Sequence, residues 1–225
     1  FFHNRGANSK LDIEHFQDID VPAKIFHLGY LLLLDGLDAP DPPYGVRAAR
    51  VLDLLKKKGY KTSVDVVSEE SDRFPAIVLP CLPYTDYLIV NEIEAGACFG
   101  ESLRDDDGID IGKVSQTAVR LMEHGVKDTV VIHFPEGGYA LNRNGESRYE
   151  PSLMLSGNEI VSTVGAGDAF CAGMLYALHE EMALADALVV ANTSARFNLG
   201  HATCTGGAPS LEEINSFINE NYRKL

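Results

Sequence analysis

The run Ser162-Thr163-Val164-Gly165-Ala166-Gly167-Asp168-Ala169-Phe170-Cys171-Ala172-Gly173 sets three small residues directly before a carboxylate and an apolar stretch. Small residues let backbone amides converge. A helix starting there adds amides with no intrahelical partner and roughly half a positive charge from its macrodipole. Such a helix mouth binds anions. Asp168 on the first turn can take the proton of an attacking hydroxyl, while the adjacent amides stabilise charge on a transferring phosphoryl group. Phosphoryl transfer is therefore the chemistry these residue types support. Taken alone, the same residues also fit a tight turn with Asp168 as an N-cap. A dinucleotide fingerprint fits less well, because Phe170 stands where the last glycine of G-x-G-x-x-G belongs and no clear opening strand precedes it.

Alternating strands and helices must position that loop. Lys24 to Leu34 is apolar enough for a buried parallel strand closing at Asp35-Gly36. The spacing of Val46, Ala49, Leu52 and Leu55 predicts a helix over Pro43 to Lys58, stopped by Gly59. Thr62 to Val67 is the next strand, and Asp65 near its end is placed to line a ligand site or to cap a loop. A short helix over Asp72 to Leu82 is interrupted by Pro80 and Pro83, and Tyr87 to Val90 is a compact strand. Asn91 and Glu94 behind it have the spacing of a capping box. A helix over Asp110 to His124, a strand over Asp128 to Phe134 and an Asn144-Gly145 hairpin turn before Glu146 to Glu150 follow. The signature helix is expected over Ala169 to Leu178, with further helices over Leu184 to Leu199 and Leu211 to Tyr222. The pattern predicts a doubly wound α/β/α sandwich of three layers with a largely parallel sheet.

Composition narrows the partners. The 225 residues carry a formal net charge of -14, which disfavours a nucleic-acid backbone or an anionic membrane as a partner. No apolar run approaches the ~18 residues of a membrane span, and no signal-peptide pattern opens the chain. Cys81, Cys98, Cys171 and Cys204 form no C-x-x-C pair and read as buried reduced thiols of a cytoplasmic protein. Asp105-Asp106-Asp107 reads as a solvated loop, since three successive carboxylates do not converge readily on one ion.

With Gly173 and Met174 after it, the Gly-Ala-Gly-Asp run resembles the C-terminal signature of the ribokinase-like (PfkB) carbohydrate kinases. The resemblance implies ATP and Mg²⁺ as cofactors, a small sugar or sugar acid as acceptor, Asp168 as catalytic base, and Gly165, Ala166 and Gly167 as the anion hole. Asn91 and Glu94 match the family's Asn-x-x-Glu motif, which lies beside the phosphates and holds Mg²⁺ through its water shell; a hard ion that keeps its waters suits that arrangement. Gly138 matches the end of a Thr-x-Gly-x-x-Gly segment bordering the nucleotide, although His133 and Pro135 depart from that pattern. Asn192 and Gly207 correspond to residues beside the adenine. Arg5 and Asp65 are the expected substrate contacts.

The run begins Ser162-Thr163-Val164 where many relatives have Asp-Thr-Thr, so potassium activation is expected to be weak or absent. Residues 1–20 correspond to a remnant of the lid strand and its connection, and residues 21–225 to the α/β domain carrying the nucleotide site. The N-terminal part and most of the lid are expected to be missing, and a homodimer through the lid is the assembly the resemblance points to. A nucleoside kinase of the same superfamily and a non-catalytic nucleotide-binding relative remain as alternative functions.

Overall fold

The computed structural model describes residues 5–153, 155, 157 and 159–222, so the first four residues of the expected lid remnant lie outside the described residues. The chain divides into two compact units, Phe1–Ile132 with Leu141–Glu146, and His133–Ala140 with Ser147–Leu225.

The first unit opens with a 3-10 turn, Gly6–Lys10, and a short helix α1, Glu14–Gln17. Its sheet takes the order β1 (Ile25–Leu31), β4 (Lys61–Val66), β5 (Tyr87–Asn91) and β8 (Thr129–Phe134). β1 and β5 both run parallel to β4, in registers that include Leu28↔Val64 and Ser63↔Tyr87. Every residue of β4 after Lys61 is buried, as expected of an interior strand covered on both faces. Helix α2, Arg47–Lys57, buries Ala48, Ala49, Val51, Leu52 and Leu55 and contacts β4. Its end is tied to the sheet by Asp86, whose carboxylate accepts from Lys56 Nζ at 2.6 and 2.7 Å and from the Thr62 amide at 2.8 Å. Helices α3 (Phe74–Ile77), α4 (Glu92–Ala97) and α5 (Ile111–Glu123) complete this unit.

Several expectations shift here. β1 stops three residues before Leu34, because Leu32 turns into the left-handed region (φ 76°) and buried Asp38 takes the amides of Leu32 and Leu34 at 3.2 and 3.1 Å. α2 starts at Arg47 rather than Pro43, since Pro40–Asp41 (β2) and Gly45–Val46 (β3) pair as a small antiparallel ribbon. The stretch after Asp72 splits into α3 and a 3-10 turn over Leu79–Tyr84. Asp105, Asp106 and Asp107 are exposed, in a second ribbon of β6 (Arg104–Asp105) and β7 (Gly108–Ile109).

In the second unit the end of β8 is followed after Pro135-Glu136 by its sheet neighbour β9, Gly137–Asn142. A two-residue link between neighbours requires an antiparallel hairpin. β10, Ser147–Pro151, pairs on the far side of β9 after a turn in which Gly145 takes φ 82°. Helices α6 (Ala166–His179), α7 (Leu184–Leu199) and α8 (Leu211–Asn221) follow. α6 and α7 pack closely at Gly173, where a Cβ would come within 3.0 Å of Ala191 Cα and 2.6 Å of Ser194 Oγ. α8 is started by a reciprocal Ser210–Glu213 capping box and set against α7 by Phe217, whose ring lies 5.8 Å from that of Phe197.

Candidate phosphate-binding site

Helix α6 begins three residues earlier than its apolar run suggests. Gly165 is its N-cap, in the left-handed conformation (φ 84°, ψ 0°), and no side chain caps the helix. Only glycine suits this position: the backbone angle disfavours a side chain, and a Cβ would stand 2.7 Å from both Cα and Cβ of Cys204. The Ala166 amide donates to the Thr163 carbonyl at 3.3 Å and the Ala169 amide to the Gly165 carbonyl at 2.9 Å. Between them, the Gly167 amide has no carbonyl one turn back within the helix to take it. Asp168 follows in the first turn with an exposed side chain. The α6 start thus brings Gly165, Ala166, Gly167 and Asp168 together as an uncapped helix mouth with a solvent-reachable carboxylate.

The other second-unit candidates serve packing in this structure. Gly138 is buried in β9, where a Cβ would meet Phe170 Cζ at 2.9 Å and Leu188 Cδ2 at 3.0 Å. Asn192 is buried in α7 and donates Nδ2 to the Glu150 carbonyl of β10 at 3.1 Å. Gly207 lets its loop lie against the end of α7, where a Cβ would meet the Phe197 carbonyl at 2.6 Å. His133 has a half-buried ring beneath Gly167 and beside Phe170, and burial pushes its pKa down to about 4. Three of the four cysteines are buried as expected; Cys204 is exposed, because it sits on the loop beside Gly165 rather than in a core element.

In the first unit, Asn91 and Glu94 form the capping box of α4. Asn91 Oδ1 accepts from the Glu94 amide at 2.9 Å and Glu94 Oε2 accepts from the Asn91 amide at 2.9 Å. Ser68 closes a ring of bonds, donating its hydroxyl to Glu94 Oε1 at 2.7 Å and accepting from Asn91 Nδ2 at 2.9 Å. Sequence reasoning missed Ser68, which lies 23 residues from Asn91 and belongs to no motif. Glu94 is only 4% exposed, and burial, aided by neighbouring Glu92, raises its pKa to about 7 despite these hydrogen bonds. Direct ligation of a metal would break bonds that both carboxylate oxygens already make. Holding a hydrated Mg²⁺ through its waters would use their remaining lone pairs, so the donor set fits an indirect role only.

The two expected substrate residues are also engaged. Arg5 is paired with Asp35. Asp65 is 8% exposed in β4, its Oδ1 accepting from the Val66 amide at 2.8 Å. On the adjoining β1, His27 Nδ1 lies 3.1 Å from Ser63 Oγ.

Comparison with known proteins agrees with the fold. Residues 1–211 match the pfkB family carbohydrate kinase description. A 5-dehydro-2-deoxygluconokinase of Clostridium botulinum is 30% identical over 106 residues, which is 47% of this chain and 30% of that protein. Arabidopsis thaliana ribokinase complexed with ribose and ATP superposes with a TM-score of 0.63 at 20% identity, covering 76% of this chain and 51% of that one. A nucleoside kinase of Burkholderia thailandensis in complex with inosine gives a TM-score of 0.62 at 18% identity, over 93% of this chain and 58% of that one. The matched stretches thus span well under two thirds of these relatives. Among the described residues, no helix is long and apolar enough to cross a membrane.

Proposed function

The chain belongs to the pfkB family of carbohydrate kinases, and from that premise we propose that it transfers the terminal phosphoryl group of ATP to a hydroxyl of a small sugar or sugar acid. The observation that carries this reading is the glycine-capped start of α6 with exposed Asp168 in its first turn. The Gly167 amide and the helix dipole supply fixed positive potential where phosphate charge accumulates. Asp168 takes the acceptor's proton as the new P–O bond forms and the bond to ADP breaks. Mg²⁺ would neutralise phosphate charge, with Asn91 and Glu94 holding its hydration shell. Asn192 and Gly207 act on this reading by shaping the wall beside the nucleotide rather than by offering free polar groups.

A sugar acid is favoured over a neutral sugar by the name of the Clostridium relative, whose acceptor carries a carboxylate. Arg5 would have to leave Asp35 to meet such a group. A nucleoside acceptor is the second reading, since the inosine-bound neighbour superposes as well as the ribose-bound one. The test is ADP formation by the full-length protein across 5-dehydro-2-deoxygluconate, neutral hexoses and pentoses, and nucleosides. Turnover with one acceptor class assigns it. Absence of ADP formation with every acceptor class, from protein that binds ATP, points to the non-catalytic alternative and overturns the proposal.

A further inference from the structure

The ring of His133 lies at the back of the helix mouth, and it explains which way Gly167 faces. A side chain on Gly167 would project into this ring, its Cβ reaching 3.2 Å from Cε1 and 3.8 Å from Nε2. Beyond it, His133 lies against Phe170, ring centroids 4.8 Å apart and planes tilted by 30°. Phe170 in turn fills the space over Gly138, where a Cβ would stand 2.9 Å from Cζ and 3.1 Å from Cε2. Two glycines therefore enclose two rings, so a change of size at any one of the four residues is felt by its neighbours.

We infer that His133 is a positioning residue for phosphoryl transfer, a wedge between Phe170 and Gly167 that sets where the Gly167 amide points. This rests on the kinase reading given above. Burial holds the ring uncharged at neutral pH, so its contribution is spatial and adds no cation to the mouth. It also accounts for a departure in the sequence: the threonine usual at this position in the resembling family would leave the space behind Gly167 partly unfilled.

The test is a double-mutant cycle in the full-length protein, with melting temperatures confirming that each variant is folded. His133→Thr is expected to lower kcat about tenfold while leaving the KM for ATP within about twofold, because a misplaced amide weakens binding of the transition state more than of the ground state. Gly167→Ala is expected to lower kcat about a hundredfold beside His133, yet only a few-fold further in the His133→Thr background, where its methyl has room. Losses that simply multiply overturn the inference, as does a His133→Thr effect confined to the KM for ATP, which would make the ring a nucleotide contact instead. An independent readout separates the two levels of the argument. The ¹H–¹⁵N resonance of Gly167 should move on adding ADP to the parent protein and should start displaced in His133→Thr. Both shifts without turnover on any acceptor sink the kinase reading alone, and a Gly167 resonance unchanged by His133→Thr sinks the wedge.

Discussion

Helices α4 and α6 both begin at residues singled out by the sequence, and their starts are opposite in kind. The α4 start is closed: Asn91, Glu94 and Ser68 bond one another in a ring, and the acids Glu92 and Glu94 already sit in the first turn of a six-residue helix. The α6 start is open: a fourteen-residue helix is capped by a left-handed glycine with no side chain to take its amides. A helix end that satisfies itself gains stability and has little left for a ligand, whereas one capped by glycine keeps its donors available. This contrast is why the proposed function gives the first start structural and hydration-shell contacts and the second the phosphate chemistry.

The largest effect should come from the open end. Asp168→Asn is expected to lower kcat about 10² to 10⁴-fold, measured as ADP release under saturating ATP and acceptor. Near parental turnover in that variant removes Asp168 from the base role. Gly165→Ala should destabilise the fold by about 3 to 4 kcal/mol in urea denaturation, since it combines a disfavoured backbone angle with a clash against the Cys204 backbone. A loss below about 1 kcal/mol would mean that the loop yields easily and that glycine is not needed there.

At the closed end, Glu94 should leave its mark on pH dependence. Its pKa of about 7 lies above the ordinary 4.5, so the unfolded chain ionises first as pH rises. Stability from this group is complete below about pH 4.5, declines towards pH 7 and is flat above, a span of up to about 3 kcal/mol. Glu94→Gln should flatten that decline in urea melts taken at pH 5 and pH 8; an unchanged slope would assign it to another group. Asn91→Ala should cost about 1 kcal/mol, the usual worth of an N-cap. If it abolishes turnover while barely changing stability, α4 takes a larger part in the chemistry than its closed ring suggests. The smallest effect is expected from potassium: with Ser162 at the first signature position, titration should change the rate less than about twofold. Strong, saturable activation contradicts that expectation.

Much of this was legible because long periodic elements carry redundant signals. The faces of α2 and α5 follow directly from apolar spacing, whereas the burial of β4 does not, since Thr62, Ser63 and Asp65 are polar. The Asn91–Glu94 box was legible for the same local reason, its partners lying three residues apart. What escaped depends on contacts distant in sequence. The β2–β3 ribbon has two-residue strands, too short for any period and placed at Pro40. The left-handed bend at Leu32 is held by Asp38, and no local pattern announces it. The α6 helix starts at Ala166 because its first turn tolerates glycine, so propensity placed the boundary too late. His133 was visible as a departure from the family pattern, but what it touches could be read only once Gly167 and Phe170 were placed around it.

Cys204 is the exposed member of the four cysteines, and its backbone lies directly against Gly165. The chain therefore carries a native attachment point beside the helix mouth. A small fluorophore or nitroxide coupled to that sulfur would show in real time whether nucleotide arrives at the proposed phosphate site, with no engineered residue beside it.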